Sequence, residues 1–260
     1  KTSLIKFKIK KERKKCLDKH YDVEIAFKDG FCALFTAYGD SDIKYHWLHT
    51  DYSMYDCTAK YRSLFTKTFN YFNKIIGISK AVVERFQEKY PNTDCEVIYN
   101  LIDEDKIKRQ AALKKVSFGS KLNLISVGRI HNMKGYDRLI KVFNRLNKEN
   151  KLDDVYLRII GDGPDIQLIK TMVYNYSLED KIDIMGKKKN PFPYVKASDA
   201  FLMCSRYEPF GLVILEAMIL GVPVISTDVA SIREIMNEKY GMIVENNEEG
   251  LYHALLAIID

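Results

Sequence analysis

Two glutamates in the last quarter of the chain have the spacing and surroundings of functional carboxylates. Glu208 and Glu216 are separated by seven residues, within a run that reads RYEPFGLVILEAMILGVP. A helix that begins near Phe210 and stops at Gly221 and Pro223 carries Glu216 among apolar side chains. Such a helix is buried, and an ionised carboxylate there needs a partner, for which ribose hydroxyls are suited. The alternatives to a functional role are that Glu208 is a charge favoured at the start of a helix and that Glu216 is an ordinary surface residue.

Backbone amides and cations occupy two strand-to-helix junctions. The amides of Phe210, Gly211 and Leu212 form a helix start suited to a phosphate or sugar oxygen. The segment VGRIHNMKG, residues 127–135, follows a strand and opens a helix, so Arg129 and Lys134 lie beside a second helix start. The alternative is that Arg129 and Lys134 are ordinary surface cations.

Short β-type runs alternate with helical patterns along the chain, which predicts an α/β fold with parallel sheets. The first part offers about four strands, and its helical patterns include Thr58–Phe72 and Lys80–Lys89. The second part offers six strands with helices between them, a complete doubly wound unit in which ligands bind at the carboxyl ends of the strands. The predicted strands are 23–27, 43–48, 75–78 and 96–98, then 122–127, 155–160, 182–185, 200–203, 222–226 and 241–244.

These elements divide the chain into two predicted Rossmann-like domains. We expect an N-terminal domain at residues 1–102, a polar, lysine-rich connection at 103–120, and a complete ligand-binding domain at 121–260. With about four strands the first domain is expected to be truncated, and the final helix near Leu251–Ile259 to be cut short.

Composition excludes several classes of protein. The chain is 47% hydrophobic and 29% charged, as in a globular protein, and its longest apolar stretch falls short of a bilayer span. The five cysteines form no CxxC pair and indicate free thiols in a reducing cytosol. No metal site is predicted, because Asp51 and Asp162 are isolated acidic residues.

A dense run of cations, Lys6 to Lys15, accounts for much of the net charge of +6. It predicts a solvated helix face or a peripheral contact with anionic lipid. Nucleic acid is disfavoured, because no RNP, KH or zinc-finger pattern accompanies the run. We therefore expect a cytoplasmic protein, with a peripheral position at the inner face of the membrane as an option.

The glutamate motif resembles the EX7E signature of the retaining glycosyltransferases of family 4, which have the GT-B fold. The segment containing Arg129 and Lys134 resembles the family's G-R-x4-K-G element, in which the arginine and lysine hold the donor diphosphate. IIGDGP, residues 159–164, resembles a G-x-G-P turn, and NPFPY, residues 190–194, a loop of capsule-type members. The resemblance implies that Glu208 holds the donor sugar and Glu216 the ribose.

The first part resembles the same family more weakly. YHWLHTD, residues 45–51, is similar to a W-x-H-x-D segment and implies a donor-sugar role for His49, with a structural histidine as the alternative. His46 and Trp47 are expected to pack. The family's glycine-rich acceptor-side loop is absent, and Leu101 and Ala230 stand where glycines are usual. The first departure places activity of this chain in doubt but leaves donor binding intact.

The resemblance implies metal-independent transfer of a sugar, with retained anomeric configuration, from a nucleoside-diphosphate sugar to an acceptor hydroxyl of a glycan or lipid-linked acceptor. No cofactor is expected. We expect a UDP-sugar ahead of a GDP- or ADP-sugar, with base contacts from backbone near Gly128, Gly161 and Gly186. The alternatives are an inactive nucleotide-sugar-binding module and an isomerase similar to UDP-sugar 2-epimerases. A dehydrogenase is disfavoured, because the GxGxxG fingerprint is missing.

Overall fold

A computed structural model describes residues 2–17, 19–52, 61–119 and 121–260 of the chain. These residues form two compact units, Lys1–Asn100 and Leu101–Asp260. Residues 58–60 of the predicted helix Thr58–Phe72, together with Cys57, lie outside the described residues. No helix in the described ranges is long and apolar enough to cross a membrane.

The first unit contains a four-stranded parallel sheet whose strands pair in chain order. The strand predictions hold to within one residue at each end. An aromatic cluster that includes Phe69 and Phe86, whose ring centroids are 4.9 Å apart, forms part of the core. The elements are α1 (Thr2–Cys16), β1 (Val23–Ala26), α2 (Phe31–Ala37), β2 (Ile43–Leu48), α3 (Arg62–Phe69), β3 (Lys74–Gly77), α4 (Lys80–Gln87) and β4 (Cys95–Val97).

The basic run of the sequence lies on α1. Most of its lysines are exposed, as the solvated-face hypothesis expects. Arg13 differs, because its guanidinium is buried and donates to both carboxylate oxygens of Glu24 at 2.8 and 2.6 Å. It also donates to the carbonyl oxygen of Phe35. Arg13 therefore fastens α1 to the sheet and to α2, while its neighbours remain in solvent.

The second unit contains a six-stranded parallel sheet flanked by helices. Its strands, all predicted to within two residues, are β5 (Leu122–Val127), β6 (Val155–Ile160), β7 (Ile182–Gly186), β8 (Ala200–Met203), β9 (Val224–Thr227) and β10 (Gly241–Val244). Its helices are α5 (Glu104–Ala112), α6 (Tyr136–Lys148), α7 (Ile166–Asn175), α8 (Phe192–Lys196), α9 (Leu212–Ile219), α10 (Ile232–Ile235) and α11 (Glu248–Ile259), with 3-10 turns at Asn132–Lys134 and Glu238–Tyr240.

The strand order, β10-β9-β8-β5-β6-β7, is that of a doubly wound Rossmann sheet. The chain builds outwards from β5 to β7 and then returns to place β8 on the other side of β5. The point of reversal lies between β5 and β8, and ligands of such sheets bind in the crevice beyond the carboxyl ends of these strands.

Both faces of this sheet are covered, so neighbouring residues of one strand enter different cores. Leu124 packs with α6, α7 and α11, whereas Ile125 packs on the other face with α8, α9 and α10. On α6 the predicted apolar face, Leu139, Ile140, Phe143 and Leu146, is fully buried. These two cores hold the ends of β5 and β8 in place.

The segment expected to connect the domains, residues 103–120, contains helix α5. Asp103 caps it by accepting from the amide of Lys106 at 2.8 Å, and Ile107 and Ala111 are buried at helical spacing. The helix packs against α8, where the side-chain amide of Asn190 donates to the carbonyl oxygen of Gln110. The residues from 101 onward thus belong to the compact second unit.

Candidate functional site at the carboxyl ends of the second sheet

An ion pair between Lys134 and Glu208 joins the loops that follow β5 and β8. The ammonium of Lys134 contacts Oε2 of Glu208, and their side chains are 27% and 11% exposed. Two residues singled out separately in the sequence therefore meet at the reversal point of the sheet. Their charges lie where a ligand of this fold binds.

Gly135 allows the first of these loops to approach the second. Its φ of 68° lies in the left-handed region, and a Cβ atom there would clash with the carbonyl oxygen of Cys204. The thiol of Cys204 donates to the carbonyl oxygen of Lys134 at 3.1 Å. A glycine is thus required between Lys134 and α6.

The loop that carries Glu208 rests on buried hydroxyls of the neighbouring elements. Ser231, just before α10, donates to the carbonyl oxygens of Glu208 and Phe210 at 3.3 and 3.2 Å. Thr227, at the end of β9, donates to the carbonyl oxygen of Ser205 at 2.7 Å. The loop conformation is therefore fixed by hydrogen bonds at both of its ends.

Helix α9 begins later than predicted. Its first residue is Leu212, and Gly211 precedes it with φ of 91°, so Phe210 lies outside the helix. The cause is the left-handed backbone at Gly211, which a continuous helix from Phe210 does not allow. The amide of Leu212 still belongs to the first turn, beside Glu208.

A cavity of 740 Å³ opens beside the carboxyl ends of β5, β6 and β7. Arg129, which is exposed, forms part of its wall. A Cβ atom at Gly161 would clash with the carbonyl oxygen of Gly128, so the two loops meet through glycines. The amide of Gly161 donates to the carbonyl oxygen of Gly186 at 3.1 Å. The other lining residues include Asp162, Gly163, Pro164, Lys187, Lys188 and Pro191.

Glu216 lies half buried on α9. Burial raises the pKa of its carboxyl group to about 6. No hydrogen bond or ion pair to this carboxylate is found within the described part of the chain. A partly buried carboxylate without a protein partner has the chemistry to accept hydrogen bonds from the hydroxyls of a ligand.

His49 follows β2 in the first unit. Its ring lies 4.7 Å from that of Phe27, and its Nε2 is buried without a hydrogen-bond partner among the described residues. Burial lowers the pKa of His49, which favours the neutral ring. Asp51 of the same segment is buried in an ion pair with Arg85. His46 is fully buried against Phe69, as expected for a packing residue.

Within the described ranges, a group of three side chains that could hold a metal ion lies in the first unit. It consists of His20, Asp22 and Asp42, all of them exposed. None of these residues belongs to the predicted site.

The structure thus places most predicted site residues at the carboxyl ends of the strands of the second sheet, with His49 in the first unit.

Sequence reasoning missed the side chains that hold the two loops together. Arg206 donates to both carboxylate oxygens of Asp137, and buried Arg138 donates to the carbonyl oxygen of Cys204. Arg206 stands beside the glutamate motif, and that adjacency was the available signal. Lys187 and Lys188 of the cavity wall were also missed; their position directly after β7 indicates a site residue by the same rule.

The comparison with known proteins gives a consistent result for the second unit. A family model described as "Glycosyl transferases group 1" matches residues 108–260. N-acetyl-alpha-D-glucosaminyl L-malate synthase of Bacillus anthracis is 33% identical over 167 residues, which are 62% of this chain and 43% of that protein. The N-acetylgalactosamine-N,N'-diacetylbacillosaminyl-diphospho-undecaprenol 4-alpha-N-acetylgalactosaminyltransferase of Campylobacter jejuni is 30% identical over 169 residues, 64% of this chain and 44% of that protein. The chain spans less than half the length of these relatives.

Solved structures extend the likeness to both units. HepE of Anabaena, crystallised in complex with UDP and glucose, matches 97% of this chain and 71% of its own with a TM-score of 0.75 and 17% identity. A glycosyltransferase from Rickettsia africae matches 98% of this chain and 69% of its own, with a TM-score of 0.74 and 20% identity. At these identities the likeness shows the fold.

Proposed function

The chain belongs to the group 1 glycosyl transferases and has the α/β GT-B fold of such enzymes, and from this premise we propose that it is a retaining glycosyltransferase. It moves a sugar from a nucleoside-diphosphate donor to an acceptor hydroxyl, in the synthesis of a polysaccharide or glycolipid. The observation that carries the proposal is the Lys134–Glu208 pair at the reversal point of the sheet. In the proposed reaction Lys134 binds a donor phosphate and the neighbouring carboxylate of Glu208 binds the sugar.

The cations serve the leaving group. When the bond between sugar and diphosphate breaks, negative charge grows on the diphosphate oxygens, and fixed positive charges stabilise that change. Lys134 and Arg129 supply these charges, and the loops between β5 and α6 and between β8 and α9 supply backbone amides. With this arrangement the reaction proceeds without a metal ion or other cofactor.

The carboxylates and His49 serve the sugar and the ribose. Glu208 accepts from donor-sugar hydroxyls, and its pairing with Lys134 holds it in place. Glu216 accepts from the ribose, which supplies the partner that its carboxylate otherwise lacks. For His49, which is neutral because burial lowers its pKa, the proposed role is a contact with the donor sugar. The amides of Phe210, Gly211 and Leu212 bind donor oxygens, and the backbone at Gly128, Gly161 and Gly186 surrounds the base.

We propose UDP-sugar as the donor, ahead of GDP- or ADP-sugar, and a lipid-linked or free glycan as the acceptor. HepE was crystallised with UDP, and the Campylobacter relative is named for a diphospho-undecaprenol-linked acceptor. The group 1 family match and the relatives named as glycosyltransferases favour transfer over a catalytically inactive nucleotide-sugar-binding module and over a 2-epimerase-like isomerase.

A panel of UDP-, GDP- and ADP-sugars tests the donor site by thermal unfolding. A bound donor stabilises the folded chain by mass action, about 2.7 kcal/mol at a hundredfold excess over Kd. We expect Lys134→Met to remove most of this stabilisation, and to lower the rate of nucleotide release about a hundredfold in an assay with glycolipid acceptors. Lys141→Met is the control, since Lys141 lies on α6 in an exposed pair with Glu248.

Two results contradict the proposal. If no nucleotide sugar raises the melting temperature, or if Lys134→Met behaves as Lys141→Met does, the donor site is misassigned. If the chain releases a free epimer of the donor sugar without an acceptor, it is an isomerase.

The proposed cellular position is cytoplasmic, with a peripheral contact at the inner face of the membrane made by the exposed lysines of α1. Each cation near an anionic surface contributes about 1 kcal/mol. Sedimentation with phosphatidylglycerol vesicles should therefore exceed that with phosphatidylcholine vesicles, and Lys8→Gln combined with Lys11→Gln should reduce it at least tenfold. Arg13 is left unchanged because it is paired with Glu24. Equal sedimentation with both vesicles removes the membrane contact from the proposal.

A further inference from the structure

Arg206 and Asp137 form a two-pronged ion pair beside the Lys134–Glu208 pair. The Nη1 and Nη2 atoms of Arg206 donate to the two carboxylate oxygens of Asp137 at 2.6 and 2.7 Å. Arginine and carboxylate groups in this parallel geometry fix each other's orientation as well as their distance. Burial raises the pKa of Asp137, but the hydrogen bonds from Arg206 outweigh it, so this pKa is lowered and the carboxylate stays ionised.

This pair lies close to both candidate site residues in sequence. Asp137 follows Lys134 by three residues, and Arg206 precedes Glu208 by two. Further contacts run between the same two loops: Arg206 donates from Nη1 to the carbonyl oxygen of Asn132 at 2.8 Å and from its amide to that of Met133 at 2.9 Å. The guanidinium is therefore bonded to the turn that precedes Lys134 and to the helix that follows it.

A long lysine side chain reaches one point in space only when the backbone at its base is held, because free rotamers spread its ammonium over several positions. Arg206 lies in the loop between β8 and α9. From there it holds the backbone of Met133, just before Lys134, and the side chain of Asp137, three residues after it. The side chains of Arg206 and Asp137 are 33% and 26% exposed, and exposed ion pairs contribute little to overall stability. The geometry they impose on the two loops is their larger effect.

We propose that the Arg206–Asp137 pair positions Lys134 against Glu208, so that the diphosphate of the donor meets a pre-placed ammonium. The inference rests on the proposed donor site and adds two positioning residues to it. Arg206 and Asp137 act through Lys134 and need no contact with the donor.

If Arg206 acted only through its charge, the outcome for Asp137→Asn would differ. If Arg206 acted only by its positive charge, removing the negative charge of Asp137 would strengthen the binding of an anion. If the pair acts by position, Asp137→Asn weakens binding, because the two-pronged contact is lost while the local charge becomes more positive. Arg206→Met weakens binding under both mechanisms, so Asp137→Asn separates them.

The experiment measures, by titration calorimetry on the full chain, the dissociation constant of whichever of UDP, GDP and ADP binds most tightly. We expect Arg206→Met and Asp137→Asn each to raise Kd about tenfold. In a Lys134→Met background the same changes should raise Kd less than twofold, since residues acting through one group are not additive. Arg145→Met is the matched control: Arg145 lies on α6 and donates to both carboxylate oxygens of Glu249. It should leave Kd unchanged.

The outcomes separate this inference from the proposed function. If none of the three nucleotides binds the unsubstituted chain, or Lys134→Met does not weaken binding, the donor site itself is overturned and the positioning role with it. If Lys134→Met weakens binding but Asp137→Asn tightens it or leaves it unchanged, the positioning role alone is overturned. Equal losses in the two backgrounds also overturn it, because a general loosening of the fold acts regardless of Lys134. A circular dichroism melt of each variant verifies that it is folded.

Discussion

The buried carboxylate of Glu216 lowers the stability of the folded chain, and a ligand that donates hydrogen bonds to it would offset this loss. Its ordinary pKa is 4.5, and burial on α9 raises it to about 6. Between these two pH values the folded chain keeps a proton that the unfolded chain has released. Stability therefore falls as the pH rises through this window, and the full cost is present above about pH 6. A shift of this size corresponds to about 2 kcal/mol, which partial exposure reduces to about 1 kcal/mol.

Glu216→Gln should consequently stabilise the unliganded chain at pH 8 by about 1 kcal/mol and leave its stability at pH 4 unchanged. The same variant should bind nucleotide more weakly at pH 8, because a neutral amide replaces the carboxylate that we propose accepts from the ribose. Urea unfolding at both pH values and calorimetry at pH 8 measure the two effects. Glu179→Gln, at an exposed glutamate, is the control. Tighter nucleotide binding by Glu216→Gln would contradict the ribose role.

Part of the candidate site could be identified from the sequence. Glu208, Glu216, Arg129 and Lys134 were singled out because charged residues at strand-to-helix junctions, or inside an apolar helix, need a reason. Arg206 and Asp137 were not, because each looks like an ordinary surface charge until the chain folds. These two residues are 69 positions apart in the sequence, and a local pattern does not reveal that they form an ion pair.

At the scale of elements, the strands were predicted more accurately than the ends of helices. Buried parallel strands are continuous apolar runs bounded by polar residues, so their ends are sharp in the sequence. The start of α9 was placed two residues early, because Gly211 has a left-handed backbone and a Cβ atom there would lie within 3.1 Å of Ile232 of α10. Helix α5 was missed inside the expected connection, since just two of its residues, Ile107 and Ala111, are buried.

Two glycines next to helices or strands provide a test of how loops are fitted together. Gly135 and Gly186 have nearly the same φ, 68° and 67°, but a Cβ atom at Gly135 would clash with Cys204 and one at Gly186 would meet open space. Gly186→Ala should cost about 1–2 kcal/mol for the left-handed backbone alone. Gly135→Ala should cost at least about 2 kcal/mol more and weaken nucleotide binding, because the loop carrying Lys134 must move away from Cys204.

Urea unfolding of the two alanine variants measures the difference. Equal losses would show that backbone conformation matters at Gly135 and that the close approach to Cys204 does not.

At the scale of the whole molecule, the two units divide the proposed work. The proposed contacts to the donor nucleotide come from residues of the second unit, whereas His49 belongs to the first. Hydrogen exchange should therefore show that UDP without a sugar protects amides in residues 128–135, 161–164 and 205–212. Residues 43–52 of the first unit should exchange at the same rate with and without UDP. Protection confined to the first unit would contradict the location of the donor site.

The overall architecture followed from the alternation of strands and helices, which leaves few arrangements for a parallel sheet. The division between the units was set by packing, since α5 joins the second unit through contacts with α8. Patterns along the chain identify elements, whereas contacts between distant residues decide which compact unit an element joins.

The reversal of strand order between β5 and β8 also dictates when the site forms during synthesis. Lys134 leaves the ribosome 74 residues before Glu208, which corresponds to about 4–15 s at roughly 5–20 residues per second. During that interval β6 and β7 are added to β5, but the loop that completes the ion pair has not been translated. Long-range pairing of this kind is slow to form. If donor binding requires this pair, as proposed, a nascent chain that ends before β8 does not yet bind the donor through it.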